Sequence, residues 1–256
     1  MSTLTVSLVQ YDIAWLSPEQ NFTTIEQLTA APTGCDLLLL PETFATGFAL
    51  QQATAEQAAL ALSFMQQLAE RLQCVVAGSV LVPNGDKKAN RFYWVWPDGS
   101  QQTYDKRHLF CLGNEGQYVT QGCERKIFEI NGFKLLPQVC YDLRFPVFQR
   151  SKNDYDVMVN VANWPSARRF AWDTLLRARA IENQCFVLAT NRIGPDGKGV
   201  AHDGGTIALD YLGQTIEQVD DNLTGVVTVS LDKGKLAEYK SQFPAHLDAD
   251  GFEITL

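Results

Sequence analysis

The sequence offers a thiol at Cys140, a carboxylate at Glu42 and an ammonium at Lys106, each following a run that reads as a β-strand. Cys140 closes an apolar stretch and is followed at once by Tyr141-Asp142-Leu143-Arg144, which puts both charge signs within one turn. A cysteine there can be exposed and electrostatically tuned, and the thiolate is the reactive form of the group. A helix starting at that point would also aim backbone N–H groups at an anion forming near the sulfur. Glu42 follows Leu37-Leu38-Leu39-Leu40-Pro41, so it should be at least half buried, a setting that suits a general base. Lys106 follows Gln101-Gln102-Thr103-Tyr104-Asp105. A strand-end lysine is ordinarily solvated, and its force here comes from being a third ionisable group in a matching position. Together the groups supply a nucleophile, a proton carrier and an oxyanion partner, the parts of an amide hydrolase. The competing reading of Cys140 is a buried core cysteine.

The elements that must position these groups follow from local pattern. Residues 3–11 and 35–40 read as buried strands. Ser17-Pro18-Glu19-Gln20 and Thr54-Ala55-Glu56-Gln57 both have the form of a capping box, opening helices expected to reach about residues 30 and 72. Leu60, Phe64, Leu68 and Leu72 are read as the buried stripe of the second helix. Residues 74–82 and 90–96 form a hairpin around Asn84-Gly85, and 97–99 turn the chain into the strand before Lys106. Residues 108–122 lack periodicity and read as a functional loop over the site. The nucleophile strand is 133–139, with Pro137 as an irregularity because it donates no ladder bond. A strand over 155–161 leads to Ala162-Asn163-Trp164-Pro165, a helix covers 168–183, and strands follow near 185–189, 205–209, 214–219 and 225–231. Early alternation of strands and helices, with hairpins in the middle and end, points to an α/β sandwich with helices on its outer faces.

With 256 residues, 46% hydrophobic and 20% charged, and no linker-like stretch, the chain reads as one globular domain spanning 1–256. A net charge of -8 argues against broad nucleic-acid or anionic-membrane binding. No stretch has the pattern of a secretory leader or the length of a membrane span, so a cytoplasmic protein is expected. The six cysteines contain no C-x-x-C pair, and His108, His202 and His246 are scattered, so no metal site is expected. Thiols in a reducing compartment are the better reading, with Cys74 and Cys185 as small buried hydrophobes.

Leu40-Pro41-Glu42, Tyr104-Asp105-Lys106-Arg107-His108-Leu109-Phe110 and Cys140-Tyr141-Asp142-Leu143-Arg144-Phe145-Pro146 resemble, in order and spacing, the signature motifs of the nitrilase superfamily of carbon–nitrogen hydrolases. Ala162-Asn163-Trp164-Pro165 and Ala178-Arg179-Ala180-Ile181-Glu182-Asn183 are further matches, and the resemblance covers about residues 3–232. Within that superfamily the chain looks most similar to the Nit2-like ω-amidases, which cleave the distal amide of 2-oxo-dicarboxylic monoamides. The resemblance implies a four-layer αββα sandwich paired as a homodimer, with the 240–256 tail expected at the interface. It implies Cys140 as nucleophile, Glu42 as general base, and Lys106 with the Tyr141 backbone N–H as oxyanion donors. No cofactor is implied.

Glu115 resembles a second glutamate that many amidases of the family place beside the lysine; its alternative is a solvated loop carboxylate. The chain departs from the family at Leu136, where a glycine is usual, and after His202, where Asp203 replaces the usual serine, so His202 is read as structural. Arg144, and Arg168 or Arg169, are candidates to hold a substrate carboxylate, with an Arg144–Asp142 ion pair as the alternative for the first. Phe44, Phe48, Tyr118 and Trp164 are candidate pocket walls. The leading expectation is hydrolysis of 2-oxoglutaramate or 2-oxosuccinamate. Alternatives are an amidase for deaminated glutathione or another small amide or nitrile, a papain-like Cys–His hydrolase, and a non-catalytic binding protein on the same fold.

Overall fold

The computed structural model describes residues 2–31 and 34–255. Strand β1 (Thr3–Gln10) leads through helix α1 (Pro18–Leu28) to β2 (Leu37–Leu39), and α2 (Ala55–Leu72) leads to β3 (Val75–Asn84). The hairpin partner of β3 is β4 (Lys87–Val95), followed by β5 (Gln101–Asp105). Asn84 pairs with Lys87, so the two-residue turn is Gly85-Asp86, with Gly85 at φ 60, one position later than the Asn84-Gly85 signal places it. A short helix α3 (Glu115–Tyr118) then interrupts the loop over the site.

The second half repeats the plan with β6 (Phe128–Ile130), β7 (Phe133–Val139), a single turn α4 (Pro146–Gln149), β8 (Val157–Ala162), α5 (Arg169–Asn183) and β9 (Phe186–Asn191). A small hairpin of β10 (Ile193–Pro195) and β11 (Ala201–Asp203) precedes β12 (Ile207–Leu209), β13 (Thr215–Gln218), β14 (Gly225–Asp232) and α6 (Lys233–Gln242).

The strands form two six-stranded sheets, ordered β14-β1-β2-β3-β4-β5 and β13-β12-β9-β8-β7-β6. In each, a parallel trio (β1–β2–β3, β7–β8–β9) is flanked by antiparallel strands. Side-chain alternation explains the layering. Leu37 and Leu39 face the core between the sheets, while Leu38 and Leu40 face α1 and α2. In β8, Val157, Val159 and Val161 face that inner core, and Met158 and Ala162 face α5. The expected αββα sandwich is therefore the architecture observed. Among the described residues no helix is long and apolar enough to cross a membrane.

Several local expectations are corrected. Pro18 does open α1, but the Ser17 side chain makes no cap and Gln20 closes no box. The Ser17 hydroxyl donates to the Trp15 carbonyl instead. The Thr54–Gln57 box forms in full. Leu60 is 41% exposed, and the buried face of α2 is Ala58, Ala61, Phe64, Met65, Leu68 and Ala69. A strict four-residue spacing drifts about 40° per step around a 3.6-residue helix, so it cannot keep one face. Pro137 lies beyond Leu135, where pairing with β6 stops, so only β8 continues as its ladder partner. The sequence reading also misses β6, β10, β11 and α6, and the short helices α3 and α4. Apart from these corrections, the tail also touches its own chain, the Lys152 ammonium donating to the Phe252 carbonyl at 2.7 Å. Cys74 and Cys185 are buried as expected, and Cys35 and Cys74 meet as thiols 3.6 Å apart.

Candidate active site

The functional groups follow the carboxyl ends of strands from both sheets. Glu42 follows β2, Lys106 follows the antiparallel β5, Cys140 follows β7 and Asn163 follows β8. Four apolar residues and a proline carry Glu42 into the interior, where it is fully buried. Oε1 of Glu42 accepts from the Lys106 ammonium at 2.9 Å and from Asn90 Nδ2 at 2.8 Å. Oε2 accepts from the backbone N–H of Asn163 at 2.9 Å. Asn163 also donates from Nδ2 to the Glu42 carbonyl at 2.6 Å, tying one sheet to the other.

Lys106 is equally buried and is flanked on its other side by Glu115, 3.1 Å from Oε1 and 3.0 Å from Oε2. The Phe110 N–H donates to Glu115 Oε2 at 2.7 Å, which fixes the carboxylate in place. The solvated-carboxylate reading of Glu115 is thus excluded. Burial pulls the Lys106 pKa down, but the Glu115 and Glu42 charges outweigh it and raise the pKa, so it remains an ammonium. Burial raises the Glu115 pKa, with Lys106 opposing and Glu42 reinforcing the shift. Gly122 closes the loop by donating to the Lys106 carbonyl at 2.9 Å. A Cβ there would stand 2.1 Å from the Asp105 carbonyl oxygen, so no other residue fits without moving the lysine.

Cys140 takes a left-handed φ of 48 at the junction of β7 with a 3-10 turn spanning Cys140–Arg144. Its N–H donates to Asn160 Oδ1 at 3.1 Å. Burial, reinforced by Glu42, raises its thiol pKa well above the usual value, and Lys106 opposes this. The resting sulfur is therefore held as a protonated thiol. Such a thiol needs a base at the moment of attack. Tyr141 occupies the first position after it, where helical N–H groups lack intrahelical partners.

Glu42, Lys106 and Cys140 line one cavity of about 240 Å³. Arg144, Trp164, Arg168 and Phe48 line it too, with the Arg144 guanidinium 5.0 Å over the Trp164 ring and Arg168 5.2 Å over Phe110. Among the described residues neither guanidinium pairs with a carboxylate. Asp142, the alternative partner of Arg144, is occupied by Tyr104, Val139 and His108. One carboxylate-binding candidate, Arg169, and two wall candidates, Phe44 and Tyr118, fall elsewhere. Arg169 turns to Asp173 and Asp221, each at 2.9 Å. Phe44 lies in the core beside Phe22 and Phe64, and Tyr118 packs with the Ala49–Leu50 cluster.

The sequence reading misses Asn90 and Asn160; Asn160 is a lone amide in the apolar strand VMVNVA, a signal that could have found it, whereas Asn90 sits between Ala89 and Arg91 in a strand of mixed polarity. It also misses the β10–β11 hairpin, whose Asp196, Lys198 and Val200 line the cavity together with His202. Burial lowers the His202 pKa, keeping the ring neutral. No histidine among the described residues hydrogen-bonds Cys140: His108 is held by Asp142, His202 faces the Gly194 carbonyl and His246 faces Gln184. A papain-like pair is therefore not what the cavity contains.

Comparison with known proteins agrees with this geometry. The carbon–nitrogen hydrolase family model matches residues 5–241. An omega-amidase of Yersinia enterocolitica, YafV, is 40% identical, with 98% of this chain and 99% of that protein covered. A 2-oxoglutaramate amidase of Bacillus subtilis is 33% identical over 95% of this chain and 96% of its own. Among solved structures, a CN-hydrolase superfamily protein of Xanthomonas campestris, described with an arsenic adduct in its active site, is 42% identical with a TM-score of 0.93, covering 99% of this chain and all of that one (100%). With a strand-end thiol, carboxylate and lysine meeting in one cavity and the family pattern running through nearly the whole chain, this protein belongs to the carbon–nitrogen hydrolases.

Proposed function

We propose that this protein is an ω-amidase, hydrolysing the terminal amide of a short 2-oxo-dicarboxylic monoamide such as 2-oxoglutaramate or 2-oxosuccinamate to the acid and ammonia. The observation that carries this reading is the pairing, in one small cavity, of the Glu42–Lys106–Cys140 cluster with two guanidiniums that have no carboxylate partner among the described residues. The ω-amidase and 2-oxoglutaramate amidase relatives support it. At about 240 Å³ the cavity lies below the usual range of roughly 300–1,000 Å³ for ligand sites, which favours a compact amide over deaminated glutathione.

In the reaction, Glu42 takes the Cys140 proton as the sulfur attacks the amide carbonyl carbon. Lys106 and the Tyr141 N–H hold the resulting oxyanion. Glu42 returns the proton to the nitrogen, the C–N bond breaks and ammonia leaves a thioester on Cys140. Glu42 then deprotonates a water, which attacks the thioester, and the thiol departs with the proton. A preorganised oxyanion donor of this kind contributes about 3–4 kcal/mol to lowering the barrier. Glu115 keeps Lys106 charged and in place, while Arg144 and Arg168 hold the substrate carboxylate.

The working unit is a homodimer in the cytoplasm. Phe170 and Ile181 project from one face of α5 at 85% and 54% exposure, an apolar surface suited to pairing with a second copy. A panel of amides and nitriles assayed for ammonia release tests the substrate assignment. 2-Oxoglutaramate should be turned over best; no ammonia from it, beside an active control, would overturn the substrate while leaving the amidase chemistry open.

A further inference from the structure

Cys140 and Lys106 come from different sheets, and the sheets meet through apolar side chains whose attraction is non-directional. Reacting groups need placement to within about 0.5 Å. Directional links between the sheets therefore matter, and Asp142 supplies one. It is fully buried and does not line the cavity, so it is out of reach of a substrate. Its Oδ2 accepts from the Tyr104 hydroxyl at 2.8 Å and from the Val139 N–H at 2.9 Å. Its Oδ1 accepts from the His108 N–H at 2.9 Å and lies 2.8 Å from His108 Nδ1.

These donors fill the lone-pair sites of one carboxylate. They are placed symmetrically about the reacting groups: Tyr104 and His108 bracket Lys106, and Val139 and Asp142 bracket Cys140 and Tyr141. Tyr104, having donated to Asp142, also accepts from the Arg107 N–H at 3.1 Å. The His108 ring is stacked on Phe145 with centroids 3.9 Å apart, which fixes its orientation.

We infer that Asp142 is a positioning residue that locks the nucleophile turn to the Lys106 segment through Tyr104 and His108. The inference rests on the roles proposed above for Cys140 and Lys106. An asparagine at 142 has one acceptor oxygen and would turn an NH₂ toward a donor, breaking the link on one side. Removing the Tyr104 hydroxyl breaks it more gently and leaves the nucleophile turn intact.

The test measures ammonia release by Tyr104→Phe, Asp142→Asn, the double variant and Cys140→Ala, with thermal melting to establish the folded fraction. Tyr104→Phe and Asp142→Asn should lose about 10- to 100-fold in kcat per folded molecule. KM for Tyr104→Phe should change by no more than roughly threefold. The double variant should be no worse than Asp142→Asn, since both break one link. Wild-type kcat in folded Tyr104→Phe, with only the melting temperature lowered, would reduce the network to a structural role and overturn the inference. If Asp142→Asn does not fold, Tyr104→Phe decides alone. Activity in Cys140→Ala would instead overturn the site assignment on which the inference rests.

Discussion

Lys106 Nζ lies 2.9 Å from Glu42 Oε1, with both side chains closed to solvent. A proton carrier and an oxyanion donor thus sit in contact, and Glu42 has both oxygens engaged by fixed donors. That arrangement orients the carboxylate but does not replace it chemically. Glu42→Gln keeps the shape and loses the base, and since the resting Cys140 thiol is protonated, attack on the amide should slow by roughly 10²- to 10⁴-fold. Steady-state ammonia release measures this; a variant within tenfold of wild type would remove Glu42 from the proton path.

Glu115 raises the Lys106 pKa through its charge, so it should act on rate and stability together. Breaking a buried ion pair by removing one partner costs about 3–5 kcal/mol, though here Glu42 still pairs the ammonium and the lower end applies. Glu115→Leu should melt earlier and turn over at least tenfold more slowly. Unchanged melting and turnover would mean that Lys106 needs only one carboxylate.

The raised Cys140 pKa has a definite sign in alkylation. In substrate-free enzyme, iodoacetamide modification of Cys140 should be slow near neutrality and keep accelerating as pH rises past the ordinary thiol range near 8.5. The same shift stabilises the protonated folded state, so its contribution to stability is complete below the unfolded thiol pKa and lost as pH climbs toward the folded one. A reaction rate already level below pH 7 would show a pre-formed thiolate and contradict the thiol assignment.

Arg144 and Arg168 are held over aromatic faces with no carboxylate partner among the described residues. A charge-assisted hydrogen bond contributes about 1.5–3 kcal/mol. Arg144→Ala and Arg168→Ala should therefore lower kcat/KM for 2-oxoglutaramate by roughly 10- to 150-fold each, while a neutral amide of similar size loses little. An equal loss on both substrates would point to damaged packing of Trp164 or Phe110 rather than lost carboxylate recognition.

Strands and nucleophile segments are legible in the sequence because their causes are local. Leu37–Leu39 reads as a strand covered on both faces, and the Asn84-Gly85 signal marks the hairpin turn to within one residue. Cys140 and Glu42 show themselves by following such runs, and Lys106 by ending a third strand in a matching position. What the sequence hides depends on contacts between distant segments. Arg168 and Arg169 are neighbours of identical type, and only the fold sends one over Phe110 and the other to Asp173. Ser17 has the residues of a cap, yet its hydroxyl finds the Trp15 carbonyl. Asp142 looks like a partner for Arg144 and is instead claimed by Tyr104 and His108, whose approach requires both sheets to be in place.

The most direct test of the central assignment is the intact mass of the protein quenched during turnover of 2-oxoglutaramate. Wild type should carry an acyl adduct equal to substrate less ammonia, localised to Cys140, and Cys140→Ala should show neither adduct nor ammonia. Turnover by Cys140→Ala, or an adduct on any other side chain, would contradict it.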